Sequence, residues 1–437
     1  MMRKNMLIVL SVLLSGVLLL FALGSARYGG PSGLLLRVRA EFASQQSRPA
    51  FVPTPLPTVP ARATQPGLAA LPVASATLGP TLVVENTVSA TPLAAAEVGF
   101  AESPTATPPP STPLAAALST PGPRVELSGL THVWQTWNNC GPATLSMCLS
   151  FWGSVVGQEE IRLVVRPNPE DKHAGPEELA EVARAQGLNA LVRVDGTPEM
   201  LRQLLSGGVP VMVSTWHEDD PGDGMGHYRL IVGYDDGIES WLLYDSLAAT
   251  ASDRNAPYEP LRLSYDEFAP LWEVFNRRYL VVYSDDLESV VRAVVGEDMD
   301  DRTMWEGALA RARSEIAEND VNPFAWFNLG TDLVALSRFE EAASAYDHAR
   351  QLGLPWRMLW YQFWPFPAYY QVGRYEEVLA LANATLAVTK DIEELHFWRG
   401  MALAALGDAA EARASLERAL DLKPGYPEAL AALEGLG

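Results

Sequence analysis

Cysteine is almost absent: 437 residues hold two, Cys140 and Cys148. Two cysteines cannot make a disulfide scaffold. Nor do they pair with each other, since eight residues along one helix is about 12 Å, beyond the roughly 7 Å between Cα atoms that a disulfide tolerates. Neither has a further Cys or His at ligand spacing, so zinc is excluded and no metal or cofactor is expected. Basic charge is scarce as well, with 32 Lys and Arg against 53 Asp and Glu and a net charge of −21. The deficit lies in residues 124–285, with 12 basic and 24 acidic side chains, and in 286–437, with 13 and 25. No basic stripe exists, which excludes nucleic acid as a partner and makes an anionic membrane surface a poor one for these two parts. Charge of either sign is missing from residues 6–23 and nearly missing from 41–123, which hold six charged residues but 16 of the 33 prolines. A hydrophobic content of 48% excludes disorder throughout.

These two charge-poor stretches have different meanings. Residues 6–23 form an apolar run of 18 residues behind Arg3 and Lys4. As a helix the run spans about 27 Å, close to the hydrocarbon thickness, and the basic flank favours an inside N-terminus. Residues 1–26 are therefore expected to be a signal anchor, or a signal peptide if the small residues Gly24, Ser25 and Ala26 are a cleavage site. The remainder would lie outside the cytoplasm, held at the cell membrane by a single span or else secreted. Residues 27–123, rich in Pro, Thr and Ala with no apolar period, are expected to be a disordered stalk of much polyproline character.

From Arg124 the texture changes. Pro142 has no backbone N–H and suits the first turn of a helix, and Leu145, Cys148, Leu149 and Trp152 follow at helical spacing. The helix thus starts at or just after Cys140, with its unpaired N–H groups and positive dipole end facing the sulfur, a position that favours thiolate. Cys148 falls on the apolar stripe and is expected to be packing. Downstream the pattern predicts helices over 175–185 and 197–205 and strands over 188–194, 209–215, 227–234, 240–244 and 278–283, only strands following the second helix. Helices first and antiparallel strands later give an α+β domain over 124–285. The acidic loop from His217 to Asp223 is expected to be solvated, and His132, His173, His348 and His396 to be surface or packing residues.

A thiol acyl-transfer site needs a nucleophile, an imidazole, a group that orients the imidazole and an oxyanion donor. Cys140, His227, Asp245 and Gln135 supply these in order, with His227 and Asp245 on paired strands where they can be neighbours. Gly226 would leave one side of His227 open to a partner. On these residues, Gln135 through Cys140-Gly-Pro142, Gly226 through Asp235, and Tyr244-Asp245, the sequence resembles the papain-like cysteine peptidases of the bacteriocin-processing, double-glycine leader type. The resemblance covers about residues 128–285 and implies a papain-like fold, a Cys140, His227, Asp245 triad and Gln135 in the oxyanion hole. The spacing from Gln135 to Cys140 is five residues where exporter-linked members usually have six, and no transporter domain follows, so the leader substrate is not carried over.

Residues 301–437 repeat. One small or apolar position recurs at Ala308, Ala342, Val378 and Ala412 with gaps of 34, 36 and 34, and aromatic, Gly and Ala positions around it resemble the tetratricopeptide repeat. Three repeats, a preceding half repeat and a short cap form an all-α solenoid, its middle unit kinked by Trp364-Pro-Phe-Pro367. The aromatic density over 356–370 suggests a peptide-binding concave face. The sequence as a whole implies an exported, membrane-anchored cysteine peptidase or amidase acting on a peptide or protein, with repeats that recruit a protein or peptide. The rival readings are a non-catalytic binding protein and an acyltransferase of transglutaminase-like chemistry.

Overall fold

The computed structural model describes residues 51–56, 120–218, 222–248 and 257–436. The apolar run at 6–23 and most of the stalk lie outside these. Among the described residues no helix is long and apolar enough to cross a membrane.

The first unit is mixed α/β. Strand β1 (Arg124–Glu126) precedes helices α1 (Cys140–Phe151), α2 (Gln158–Val165) and α3 (Pro176–Ala185); then come β2 (Asn189–Arg193), α4 (Pro198–Ser206), β3 (Val211–His217), β4 (Met225–Asp235), β5 (Ser240–Tyr244), β6 (Leu261–Ser264), α5 (Tyr265–Glu273) and β7 (Tyr279–Tyr283). The strands form one antiparallel sheet in the order β2-β7-β3-β4-β5-β6, with β1 on β4. Alternation along β7 sends Leu280 and Val282 to the face covered by α1 and α3, and Tyr279, Val281 and Tyr283 to the other face, covered by α4 and α5. The expectation of strands alone after residue 215 fails at α5. Ser264 caps that helix and forms a reciprocal pair with Glu267, a Ser-x-x-Glu signature that overrides the neighbouring strand-like pattern.

A linking helix α6 (Glu288–Val295) leads to α7 (Asp301–Glu318), the pairs α8 (Pro323–Ala335) and α9 (Phe339–Leu352), α10 (Pro365–Gln371) and α11 (Tyr375–Leu386), α12 (Glu393–Ala405) and α13 (Ala409–Leu422), and finally α14 (Pro427–Gly435). Ala308, Ala342, Val378 and Ala412 are all fully buried where one helix crosses the next, so their spacing is a packing requirement. The middle repeat is not kinked. Its first helix is instead cut to seven residues, with Pro365 and Pro367 in the opening turn, where a missing N–H costs no hydrogen bond.

Two features of the repeats escape the sequence pattern. Residues 51–56, inside the expected stalk, lie on the repeats: Val52 N–H donates to Leu354 O (3.0 Å), Arg350 Nε donates to Pro53 O (2.8 Å) and Leu56 N–H donates to Glu377 Oε2 (2.9 Å). Val52 is buried in the repeat core, and the Arg350–Glu377 ion pair beneath it spans 2.7 Å. The face carrying the 356–370 aromatics packs against the α/β unit. Trp216, Val274 and Phe275 belong to the same apolar cluster as the repeat core, and Asn276 Nδ2 donates to Asp332 Oδ1 (2.6 Å), Asn328 Nδ2 to Glu273 O (2.8 Å) and Gln362 Nε2 to Val274 O (3.1 Å). An Arg357–Asp223 pair at 2.9 Å and a Lys423–Glu178 pair close its two ends.

Candidate active site

Helix α1 begins at Cys140 because the residue before it is held from three sides. Asn139, wholly buried, donates through Nδ2 to Thr136 Oγ1 (2.9 Å) and Gln158 Oε1 (3.1 Å), and its Oδ1 accepts from Arg166 Nη2 (2.9 Å). Gly141 follows because a Cβ there would come within 3.2 Å of both Ala174 and Leu179. Thr144 anchors the next turn to β4 through Tyr228 O (3.2 Å). Cys140 is thereby held half-buried at the helix start, beside His227 and the Tyr228 backbone on β4. Cys148 is fully buried, which pushes its thiol up to about 12 and leaves it inert.

His227 Nε2 donates to Asp245 Oδ1 at 2.9 Å, which leaves Nδ1 as the ring nitrogen available to the Cys140 thiol. The β4–β5 register explains this placement. Leu230 faces Tyr244, so Asp245, one residue past β5, sits level with Arg229 and diagonal to His227 on the same face. Asp245 is fully buried and saturated, accepting also from Arg229 Nε (2.9 Å) and from the N–H groups of Leu247 (2.7 Å) and Ala248 (3.1 Å). Its own N–H donates to Tyr258 Oη (2.9 Å), and His132 Nε2 donates to its carbonyl (2.8 Å).

The charges follow from these contacts. Burial disfavours ionised Cys140, but the hydrogen bond and charge of His227, the Tyr228 N–H and the Arg166 guanidinium outweigh it, so the thiol titrates below its ordinary value. Burial likewise works against His227 charging, yet Asp245, by charge and by hydrogen bond, and then Cys140 lift it to about 9. Asp245 stays far below the carboxylate range despite burial, through His227, Arg229 and the Leu247 N–H. Both shifts favour an anionic sulfur beside a cationic imidazole over the neutral pair.

Gln135 is not among the residues that line the pocket around the sulfur. Its Oε1 accepts from Ser246 Oγ (2.8 Å) and its N–H donates to Ser246 O (2.9 Å), so it braces the loop after Asp245. Asn138, not Gln135, lines the pocket at Cys140; it adopts a left-handed φ of 57°, and its buried Nδ2 has no partner among the described residues. Three further side chains at the site carry no local signal. Arg166, 26 residues beyond Cys140, is fully buried and ties the 137–139 turn to the 169–171 loop by donating to Trp137 O (3.2 Å), Asn139 Oδ1 (2.9 Å), Pro169 O (2.9 Å) and Asp171 O. Arg278 comes from the edge of β7, and Tyr361 from the repeats. Of the acidic loop, His217 Nδ1 accepts from Arg229 Nη2 (3.0 Å), so His217 packs behind the His227–Asp245 pair.

Tyr361 takes the side of His227 that Gly226 leaves free. A Cβ at Gly226 would meet the Tyr361 ring at 2.8 Å and Phe275 at 3.0 Å. The pocket around the sulfur is consequently small, about 20 Å³, and opens towards a cavity of about 220 Å³ between the two units. Truncation by Tyr361→Ala is expected to speed modification of Cys140 by N-ethylmaleimide several-fold while barely changing its reaction with the smaller iodoacetamide. Equal rates in both proteins for both reagents would show that Tyr361 does not limit access. Among the described residues no three His, Cys, Asp or Glu side chains are placed to hold a metal ion.

Residues 129–279 match the model of the Peptidase_C39-like family, and residues 366–427 match a tetratricopeptide-repeat model. No curated protein matches the chain. Among solved structures, xylellain, a cysteine protease from Xylella fastidiosa, aligns with 40% of this chain and 90% of its own at 14% identity and a TM-score of 0.30. The peptidase domain of Streptococcus ComA, a bifunctional ABC transporter involved in a quorum-sensing pathway, aligns with 36% of this chain and all of its own at 15% identity and a TM-score of 0.27. MamA from Desulfovibrio magneticus RS-1 aligns with 31% of this chain and 75% of its own at 16% identity and a TM-score of 0.28. The chain therefore carries a C39-like cysteine-peptidase-type domain followed by tetratricopeptide repeats.

Proposed function

We propose that the chain is a cysteine peptidase or amidase in which Cys140, His227 and Asp245 act as a triad. The observation that carries this reading is the His227 imidazole, which lies beside the Cys140 thiol in one pocket and donates from Nε2 to the buried Asp245 at 2.9 Å. The thiolate attacks the carbonyl carbon of an amide, and the electron pair moves to oxygen. As the tetrahedral adduct collapses the C–N bond breaks, and the His227 imidazolium gives its proton to the departing amine. Neutral His227 then takes a proton from water as hydroxide adds to the thioester, and the carboxylic acid leaves with the thiolate restored. Asp245 fixes the imidazole with Nδ1 towards sulfur and keeps it charged. The oxyanion is met by the Cys140 N–H at the helix start and by Asn138 Nδ2, which has no competing acceptor.

The repeats supply a wall of the cleft through Tyr361 and leave other surfaces for recruiting a protein or peptide. The apolar run at 6–23 behind Arg3 and Lys4 supports export and anchoring at the membrane, with both folded units outside the cytoplasm. The test is incubation of the full chain with a complex peptide mixture, read by mass spectrometry against Cys140→Ala. New termini made by the wild type alone are the expected outcome. Identical mixtures would reject hydrolysis, and products carrying an added primary amine in place of water would move the reading to acyl transfer.

A further inference from the structure

Three of the buried arginines among the described residues have hydrogen-bonded partners. Arg166 has four acceptors, Arg229 has Asp245 and Arg350 has Glu377. Arg278 differs. It is only 9% exposed, yet among the described residues its guanidinium makes no salt bridge or hydrogen bond, and Tyr228 and Glu177 act on it by charge alone. Its backbone is fixed, the carbonyl accepting from Trp272 Nε1 (2.9 Å) and Ser214 N–H (3.3 Å). Being two residues before Leu280, it projects to the α1 face of the sheet, at the point where the apolar core gives way to the Cys140 pocket. A guanidinium does not deprotonate in a protein, so a buried unpaired one retains an unmet demand for an anion.

The surroundings sharpen the demand. The ionisable side chains lining the Cys140 pocket are Cys140, Lys172, His173, His227, Tyr228, Arg278 and Tyr361, and none is a carboxylate, although residues 124–285 carry twice as many acidic as basic side chains. Arg278 also lines the adjoining 220 Å³ cavity, so it stands between the sulfur and the only sizeable space beside it in the described residues. Carboxylates do line that cavity, among them Glu177, whose charge acts on Arg278 without a hydrogen bond, and Glu394, whose Oε2 is buried without a partner.

We propose that Arg278 binds the free C-terminal carboxylate of a peptide substrate, so that the enzyme removes the last residue of a chain. The proposal rests on the thiol-hydrolase reading above. The last residue would lie with its carboxylate on Arg278 and its side chain in the cavity. Cys140 would attack the preceding carbonyl, and the C–N bond to the last residue would break. That residue would leave as a free amino acid protonated by His227, and water would release the shortened peptide from sulfur. Burial of the guanidinium is what makes the contact selective, because a charge-assisted pair is strongest where water is excluded.

Two measurements on the full chain test this. The first compares alkylation of Cys140 by anionic iodoacetate and by neutral iodoacetamide at pH 6, relative to a small-molecule thiol. Arg278 predicts a preference for iodoacetate of roughly tenfold, the scale of one charged hydrogen bond, and Arg278→Met should bring the iodoacetate-to-iodoacetamide ratio down to that of the small-molecule thiol. The second compares one peptide as its free acid and as its C-terminal amide on the wild-type enzyme, which needs no variant to fold. The free acid should be shortened by one residue at least tenfold faster in kcat/KM. Equal alkylation ratios in wild type and Arg278→Met, or equal turnover of acid and amide, would overturn the assignment. Failure of Cys140 to react with iodoacetamide at pH 6 would instead reject the catalytic thiolate, and this proposal with it.

Discussion

His227→Ala is expected to lower amide hydrolysis by about 10³-fold or more, because it removes both the proton donor and the cation that holds sulfur ionised. The accompanying change in the thiol is measurable without a substrate. In the wild type the thiol is depressed and His227 is raised to about 9, so the pair is ionic across the interval between. Iodoacetamide should therefore modify Cys140 at lower pH than it modifies an ordinary thiol, the rate levelling off below the ordinary thiol value. Hydrolysis should decline as pH rises through about 9, where the imidazolium loses the proton it must donate. Without His227 the burial that opposes ionisation is left with only the Tyr228 N–H and Arg166 against it. The thiol then titrates near or above the ordinary value of about 8.5, and the alkylation rate at pH 6 should fall by about 10²-fold. Retention of fast alkylation at pH 6 in His227→Ala would show that the helix start, the Tyr228 N–H and Arg166 ionise the sulfur without the imidazole.

Much of this site is local in sequence, and that is why it is legible there. The Pro142 helix start, Gly141 and the Ser240–Tyr244 return strand are each set by near neighbours, and together they bring Cys140, His227 and Asp245 into one place. The residues that sequence reasoning missed act across long separations. Arg166 matters through carbonyls in two loops, Arg278 through what fails to pair with it, and Tyr361 through a packing contact with Gly226 more than a hundred residues away. Asn138 shows its interest only in the left-handed turn that points it at the pocket while Gln135 is claimed by Ser246. The aromatics of 356–370 exceed what the repeat period needs, which is visible in the sequence. That the surplus covers the α/β unit is not, because apolar surface carries no record of its partner.

Asp245→Ala should be the most destabilising single change at the site. It leaves His227 and Arg229 buried beside an empty space and frees the N–H groups of Leu247 and Ala248, and breaking a buried ion pair from one side costs about 3–5 kcal/mol. Urea unfolding at pH 7 would measure the loss; a change below about 1 kcal/mol would mean that water replaces the carboxylate. Asp245→Asn separates stability from orientation. The amide oxygen can still accept from His227, but the NH₂ group confronts Arg229, so stability should fall by less than in the alanine variant while the charge that lifts His227 disappears. The pH dependence then identifies the cause. A histidine raised to about 9 stabilises the fold fully below its unfolded value of about 6.5, and that stabilisation, about 3 kcal/mol, is lost as pH rises from there through 9. The depressed Asp245 carboxylate contributes above about pH 4 and fades only in stronger acid. The depressed Cys140 thiol acts with the opposite sign, adding stability as pH rises towards the ordinary thiol value of about 8.5, so the two shifts largely offset each other below it. Wild-type stability should decline chiefly as pH rises from there through 9, and that decline should be much smaller in Asp245→Asn. An unchanged slope in that variant would place the source of the His227 shift in Cys140 rather than in Asp245.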